Sequence, residues 1–192
     1  MGAKGDANRS VRFTKKRIRG AVIDLMEDKP YKSVTVGEIT ERANVSRATF
    51  YTHYHDIYEL VDSIEDDLIK EISGTLHRLD MHEYVEGHFP LMTTVYRFMQ
   101  DNKKVFCALL GPNGDMSFQT RLSQVLTDCA YDLWGDIAPD KECFRLSTSF
   151  MVSGIIGMFM TDMAGAQGAP AEKMGYVSGE YLAFSKTLNG IT

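Results

Sequence analysis

The stretch VTVGEITERANVSRATFYTHYHD, residues 34–56, sets helix starts and a tight chain reversal within one short motif. Thr35 reads as the cap of a helix, Glu38 completes a capping box, and Val34 with Ile39 supplies the hydrophobic staple. Ser46 caps the next helix, with Val45 and Phe50 as its staple, and Asp56 caps a long one with Glu59 as box residue. The intervening RANVS leaves about three residues for the chain to turn back, and Asn44 tolerates left-handed backbone nearly as well as glycine. Upstream, Thr14 reads as a cap flanked by the staple Phe13 and Ile18, and Ile18, Val22, Leu25 and Met26 follow helical spacing. Three short helices in tandem, the last two joined by a tight turn, spell a helix-turn-helix.

A helix capped at Ser46 turns about 100° per residue. Phe50 and Tyr54 then share the face that meets Ile39, Ala43 and Val45. The opposite face collects Arg47, Ala48, Tyr51, Thr52 and His55, too aromatic for a solvated face and too polar for a core. A DNA major groove admits one helix, and residues near the start of that helix reach base edges. Ala48 permits close approach, Arg47 and Thr52 offer donors and acceptors to bases, and Thr49, Tyr51 and His53 stand where flanking phosphates would pass.

The net charge of −5 conceals a division. Residues 1–55 hold 11 Lys/Arg against 6 Asp/Glu, and residues 56–192 hold 10 against 20. A basic head on an acidic body is what a chain needs when only its head meets a polyanion. Lys15, Lys16 and Arg17 fall in the first turn of a helix beginning at Thr14. The macrodipole there disfavours each cation by a few tenths to about 1 kcal/mol, a cost that a nearby phosphate backbone would reverse. Lys4, Arg9 and Arg12 lie in an upstream segment, residues 1–12, expected to be a flexible basic arm.

Apolar content of 44% and charged content of 24% mark a globular chain. Glycine and proline punctuate residues 111–114, 136–140 and 165–170, and helices are expected near 56–76, 90–101, 103–110, 116–134, 142–164 and 171–188. No run alternates long enough to argue a sheet. The fold class expected is all-α: a helix-turn-helix domain over residues 13–55 joined by a long fourth helix to a helical-bundle body over 56–192. The longest uncharged run, Leu146 to Thr161, falls short of the roughly 20 residues that span a bilayer, and no secretory leader is recognisable. A soluble, cytoplasmic protein with no membrane partner is the expectation. The three cysteines, Cys107, Cys129 and Cys143, lack metal-ligand spacing. HRLDMHEYVEGH, residues 77–88, offers His77, Asp80, His82, Glu83, Glu86 and His88, but its nearest histidines are five apart and no HExxH motif occurs, so neither a metal site nor an enzyme is expected.

Residues 13–60, centred on VTVGEITERANVSRATFYTHYHDIYEL, resemble the DNA-binding domain of the TetR/AcrR family of bacterial transcriptional regulators, the aromatic TFYTHY running into a capped fourth helix being the distinctive part. The resemblance implies an all-helical homodimer, with no cofactor, that binds double-stranded DNA and is released by a small-molecule effector held in its C-terminal domain. It implies DNA-contacting roles for Thr35, Arg47, Thr49, Tyr51, Thr52 and His53, beside which Lys15, Lys16, Ala48 and His55 are candidates on the reading above. Many members carry a lysine where this chain has Ile57, so one phosphate contact is expected to be missing. Residues 96–122, YRFMQDNKKVFCALLGPNGDMSFQTRL, are similar to a subgroup related to a dihydroxyacetone-operon activator.

In the body, Tyr96, Met99, Phe106, Phe118, Leu122, Trp134, Met151 and Met158 are candidates to line an effector pocket, because flexible methionines and aromatic rings make an adaptable apolar wall. Tyr96, Arg97 and Gln119 are candidate polar anchors. SFMVSGIIGMFMTDM and the helix 171–188 are expected to pair with their copies in a four-helix dimer bundle. Gly154, Gly157, Met158, Tyr181 and Phe184 are its candidate contacts. Two alternatives stay open: transcriptional activation, and a ligand-independent helix-turn-helix module that docks on protein. DNA binding would separate itself from the latter by falling linearly with salt on a log–log scale.

Overall fold

The computed structural model describes residues 3–78, 90–164 and 168–190. Its α-helices are α1 (Ala3–Met26), α2 (Val36–Ala43), α3 (Arg47–Tyr51), α4 (Ile57–Leu76), α5 (Pro90–Asp101), α6 (Lys103–Leu110), α7 (Met116–Trp134), α8 (Lys141–Ala164) and α9 (Ala171–Leu188). A short 3-10 turn, Tyr31–Ser33, links α1 to α2, and no strand occurs among the described residues. The chain divides into two compact units: Met1–Leu68 with Ala108–Asp115, and Ile69–Cys107 with Met116–Thr192. The first unit therefore takes in more of α4 than a head ending at residue 55, together with the segment that connects α6 to α7.

The first unit is built as its caps dictate. Thr35 and Glu38 form a complete capping box at the start of α2, and Ser46 accepts from the Thr49 amide at the start of α3 at 3.0 Å. Asn44 ends α2 in the left-handed conformation, φ 50° and ψ 55°. Arg17 locks this turn by donating from Nη2 to the Asn44 carbonyl at 2.7 Å. Ile18, Val22, Met26, Ile39, Phe50, Leu60 and Val61 are buried among the three helices and the start of α4. Complete burial of a side chain such as Phe50 contributes about 1.5–3 kcal/mol. Arg19 joins α1 to α4 and to the turn before it, donating to the Tyr54 hydroxyl at 3.2 Å, the Ser63 carbonyl at 3.0 Å and Asp67 at 2.5 Å.

The start of α1 departs from the sequence expectation. Thr14 does not cap it, because the helix already runs from Ala3, through most of the residues expected to form an arm. Lys15, Lys16 and Arg17 consequently lie in mid-helix, where the macrodipole exerts no terminal bias. These cations therefore pay no first-turn penalty that a phosphate would need to offset, and Arg17 has a structural partner in Asn44.

In the second unit α5 runs along α9 closely enough that a Cβ on Gly175 would meet the Thr93 backbone at 2.8 Å. Phe106 stands at the centre of an aromatic cluster, its ring 5.9 Å from Phe98, 6.0 Å from Phe118 and 5.8 Å from Phe159. Residues 141–163 of α8 have a mean hydropathy of 1.4 and are long and apolar enough, by composition alone, to cross a membrane.

Candidate nucleic-acid interface and body cavity

Helix α3 ends at Tyr51, shorter than the pattern predicts, and the turn that follows it carries Thr52 to His55. Phe50 and Tyr54 are buried, while Arg47, Ala48, Tyr51, Thr52 and His55 are exposed and Thr49 and His53 half-exposed. Tyr51 stands edge-on to Phe50, ring centroids 5.5 Å apart, so the buried ring props the exposed one. Arg47 reaches across the start of α2, its Nη2 lying 3.0 Å from where a Cβ on Gly37 would sit. A larger residue at 37 would displace the guanidinium. Lys15 and Lys16 are exposed on α1, and the Lys15 ammonium lies 5.7 Å from the centre of the Tyr54 ring.

The hydroxyls on this surface are already in use. Thr35 Oγ1 donates to Glu38 at 2.8 Å, Thr49 Oγ1 pairs with Ser46 Oγ at 2.8 Å, and Thr52 Oγ1 donates to the Ala48 carbonyl at 2.9 Å. Thr35 and Thr52 can still accept a hydrogen bond, but donating to a phosphate would mean giving up an existing one, whereas Thr49 is free to donate when Ser46 supplies the proton of their shared bond. The cationic and aromatic side chains, Lys15, Lys16, Arg47, Tyr51, His53 and His55, are the other ready donors. Glu38, beside them, is held at a pKa of about 2, chiefly by Lys29 donating at 2.5 Å and then by Thr35.

Behind this surface Asn113 and Asp115 clasp the turn before α2. Asn113 Nδ2 donates to the Met26 carbonyl at 2.9 Å, the Tyr31 amide donates to the Asn113 carbonyl at 3.1 Å, and the Tyr31 hydroxyl donates to Asp115 at 2.7 Å. In the sequence, Gly111-Pro112-Asn113-Gly114 reads only as punctuation between helices. Nothing local marks Asn113 as a partner for residues more than 80 positions away.

The second unit holds an apolar cavity of about 60 Å³. Trp134 and Met151, two of the candidate pocket residues, line it together with Met92, Phe144, Thr148 and Asn189, which were not among the candidates. Tyr96, Met99, Phe106, Phe118 and Leu122 are fully buried elsewhere in the core and do not reach the cavity. Periodicity marks core and pocket wall alike. Arg97 is spent on Glu172 at 2.6 Å, and Tyr96 donates to the Ile155 carbonyl at 3.4 Å. Met158 lines a separate depression between α8 and α9, with Phe150, Gly154 and Tyr181.

That depression lies on an uncovered apolar face. Phe150 is 71% exposed, Phe184 66% and Tyr181 59%, and nothing lies within 4 Å of a Cβ built on Gly154 or Gly157. His82, Glu83, Glu86, His88 and Asp80 of the histidine-rich segment lie outside the described residues. Among the described residues no group of His, Cys, Asp and Glu is arranged to hold a metal.

Two family models match the chain. The one described as bacterial regulatory proteins, tetR family, matches residues 18–64, and the one described as transcriptional regulator C-terminal region matches residues 88–165. An uncharacterised HTH-type transcriptional regulator of Bacillus subtilis, YxbF, is 34% identical over 60 residues, which are 31% of this chain and only 16% of that relative. A solved TetR transcriptional regulator from Streptococcus agalactiae is similar over 96% of this chain and 98% of its own, with 21% identity and a TM-score of 0.63. The dihydroxyacetone kinase operon activator DhaS is similar over 93% and 97%, with 16% identity and a TM-score of 0.59. At these identities the two structures share the fold.

Proposed function

Because the chain belongs to the TetR family of transcriptional regulators, non-enzymatic proteins with a DNA-binding helix-turn-helix domain, we propose that it is a cytoplasmic, homodimeric repressor of a palindromic operator, released by a small-molecule effector. The observation that carries this reading is the exposed face of α3 and the turn after it, with Arg47, Tyr51 and His55 outward and Phe50 and Tyr54 buried behind them. Arg47 and Thr52 address base edges. Lys15, Lys16, Thr49, Tyr51, His53 and His55 hold phosphates, Thr35 would do so only by releasing Glu38, and Ala48 lets the helix approach.

The uncovered face of α8 and α9 supports the dimer. A four-helix bundle with a second copy would bury Phe150, Tyr181 and Phe184, and the bare Gly154 and Gly157 would let the partner backbone come close. Pairing sets two recognition helices about 34 Å apart, one turn of DNA, so each half-site reinforces the other. The body cavity takes the effector. Effector and operator then compete through the conformations each favours, and by linkage each weakens the other by the same factor.

The experiment is capture of genomic DNA fragments at two salt concentrations by the native protein and by the double variant Arg47→Ala with Tyr51→Ala. The native protein enriches a palindromic fragment, with binding that weakens as salt rises, and the variant does not. Equal retention by both proteins overturns the role of α3. A reporter driven by that fragment then separates repression from activation: loss of the gene for this protein raises expression in the first case and lowers it in the second.

A further inference from the structure

Gly37 lies in the first turn of α2, a helix in which alanine would be the better helix former. The backbone there does not ask for glycine, since among the described residues the one glycine with a positive φ is Gly190. Nor does a neighbouring backbone press on it. The three nearest atoms to a Cβ built at 37 belong to side chains: Arg47 Nη2 at 3.0 Å, Thr35 Oγ1 at 3.7 Å and Arg47 Cζ at 3.9 Å. The space that a side chain would fill is taken by the guanidinium of the residue that opens α3. No ion pair among the described residues holds that guanidinium. Its place over α2 is set by packing against the bare Cα, and its N–H donors stay available to DNA.

We propose that Gly37 is a positioning residue for operator recognition: its missing side chain leaves the seat from which Arg47 reads bases, so residue 37 sets where the Arg47 fork enters the groove without touching DNA itself. The assignment rests on the reading of Arg47 as a base-contacting residue. A long, exposed arginine samples many rotamers and loses them on binding. Resting against α2, the guanidinium is held near one position before DNA arrives, and a group placed in advance loses less affinity to ordering. A planar fork discriminates between bases only when both of its parallel donors are aimed correctly. A methyl group at 37 would push the guanidinium aside by a few tenths of an ångström, and a leucine side chain would take its place outright. Neither substitution alters the charge of this surface. The change therefore falls on aim, not on the attraction to phosphate.

The test is a double-mutant cycle on the full chain with Gly37→Leu, Arg47→Ala and the two together. Fluorescence anisotropy measures binding to the captured operator fragment and to duplexes that differ from it at single base pairs. Gly37→Leu is expected to weaken operator binding about tenfold, on the scale of one misread base pair. It is also expected to flatten base preference at the same positions as Arg47→Ala. On top of Arg47→Ala it should cost less than about twofold, because the group it displaces is already gone. Gly37→Ala should give a smaller loss in the same direction while raising the thermal midpoint, and it carries the test if the leucine variant folds poorly. Equal losses from a residue-37 substitution in both backgrounds, or flattening at other base pairs, would mean that residue 37 acts directly on DNA or on the fold, and would overturn the assignment. Native affinity and base preference in whichever residue-37 variant folds overturns it too, leaving the reading of α3 intact. Arg47→Ala that binds every duplex as the native protein does overturns the base-reading role of Arg47, and the role of Gly37 with it.

Discussion

The Tyr31 hydroxyl donates to Asp115 Oδ2 at 2.7 Å, joining the turn before α2 to the segment that enters α7. Tyr31 is buried, its ring edge-on to Tyr58 at 5.8 Å, and its phenol is pushed well above its ordinary pKa first by burial and then by Asp115. The fold of the first unit therefore depends on a bond between residues 84 positions apart.

Tyr31→Phe removes this bond between the buried phenol and the Asp115 carboxylate. The expected loss is about 1–2 kcal/mol of stability at pH 7, read by urea denaturation. Because the folded state holds the phenol protonated, the bond's contribution is intact below the unfolded pKa of about 10 and is lost as pH rises beyond it. The gap between native and variant should narrow above pH 10. A gap constant to pH 11 would show that the phenol is not held protonated by the fold.

Glu38 titrates in the opposite sense. Its carboxyl is depressed to about 2, first by Lys29 and then by Thr35. A depressed carboxylate stabilises the fold above its unfolded pKa and loses that contribution as pH falls from about 4.5 toward 2. Carbon-detected NMR titration of Glu38 should give a midpoint well below that of an exposed glutamate. In Glu38→Gln the stability of the first unit should vary less with pH across the same window.

Gly175 is a packing prediction. With Thr93 Oγ1 at 2.2 Å and Thr93 backbone at 2.8 Å from where a Cβ would lie, Gly175→Ala forces α5 and α9 apart. A loss of about 1–3 kcal/mol is expected from overpacking, against a gain for Gly74→Ala within α4, where a Cβ meets nothing within 4 Å and alanine is the better helix former by about 1 kcal/mol. Thermal midpoints of the two variants, measured at one protein concentration, should move in opposite directions. Equal losses in both would show that the close approach of α5 and α9 at Gly175 is not what sets the cost.

Phe150 and Phe184 test the dimer. Both are more than 60% exposed in the single chain, so Phe150→Lys with Phe184→Lys should leave helicity intact. Sedimentation is expected to show the dissociation constant raised by at least about a hundredfold, since charged side chains would have to be buried in an apolar interface. A native chain that sediments as a monomer at micromolar concentration would remove the need for the bundle.

Where information was local, the sequence carried it. The Thr35 box, the Ser46 cap and the Asn44 reversal each depend on residues within a few positions, so α2, α3 and the outward face of α3 could be read without coordinates. The starts and ends of α5 to α9 were legible from glycine, proline and apolar period. Thr14 misled because a cap and a staple state where a helix is able to begin, not where it must. Once the preceding residues are helical, the same threonine is an interior residue.

What only the tertiary structure decided lies in relationships that cross the chain. Tyr96 and Phe106 are as apolar in pattern as Trp134 and Met151, yet packing buries the first pair in solid core and sets the second on a cavity wall. Gly37 reads as an ordinary residue near the start of a helix, and its significance appears only when the packing of α3 on α2 lays the Arg47 guanidinium over it. The sequence by itself determined which helices form and which face of α3 points outward, because hydrogen bonds and periodicity within a turn or two settle both. The tertiary structure decided which residues border empty space and which side chains meet across helices, because both depend on side chains brought together from separate parts of the chain.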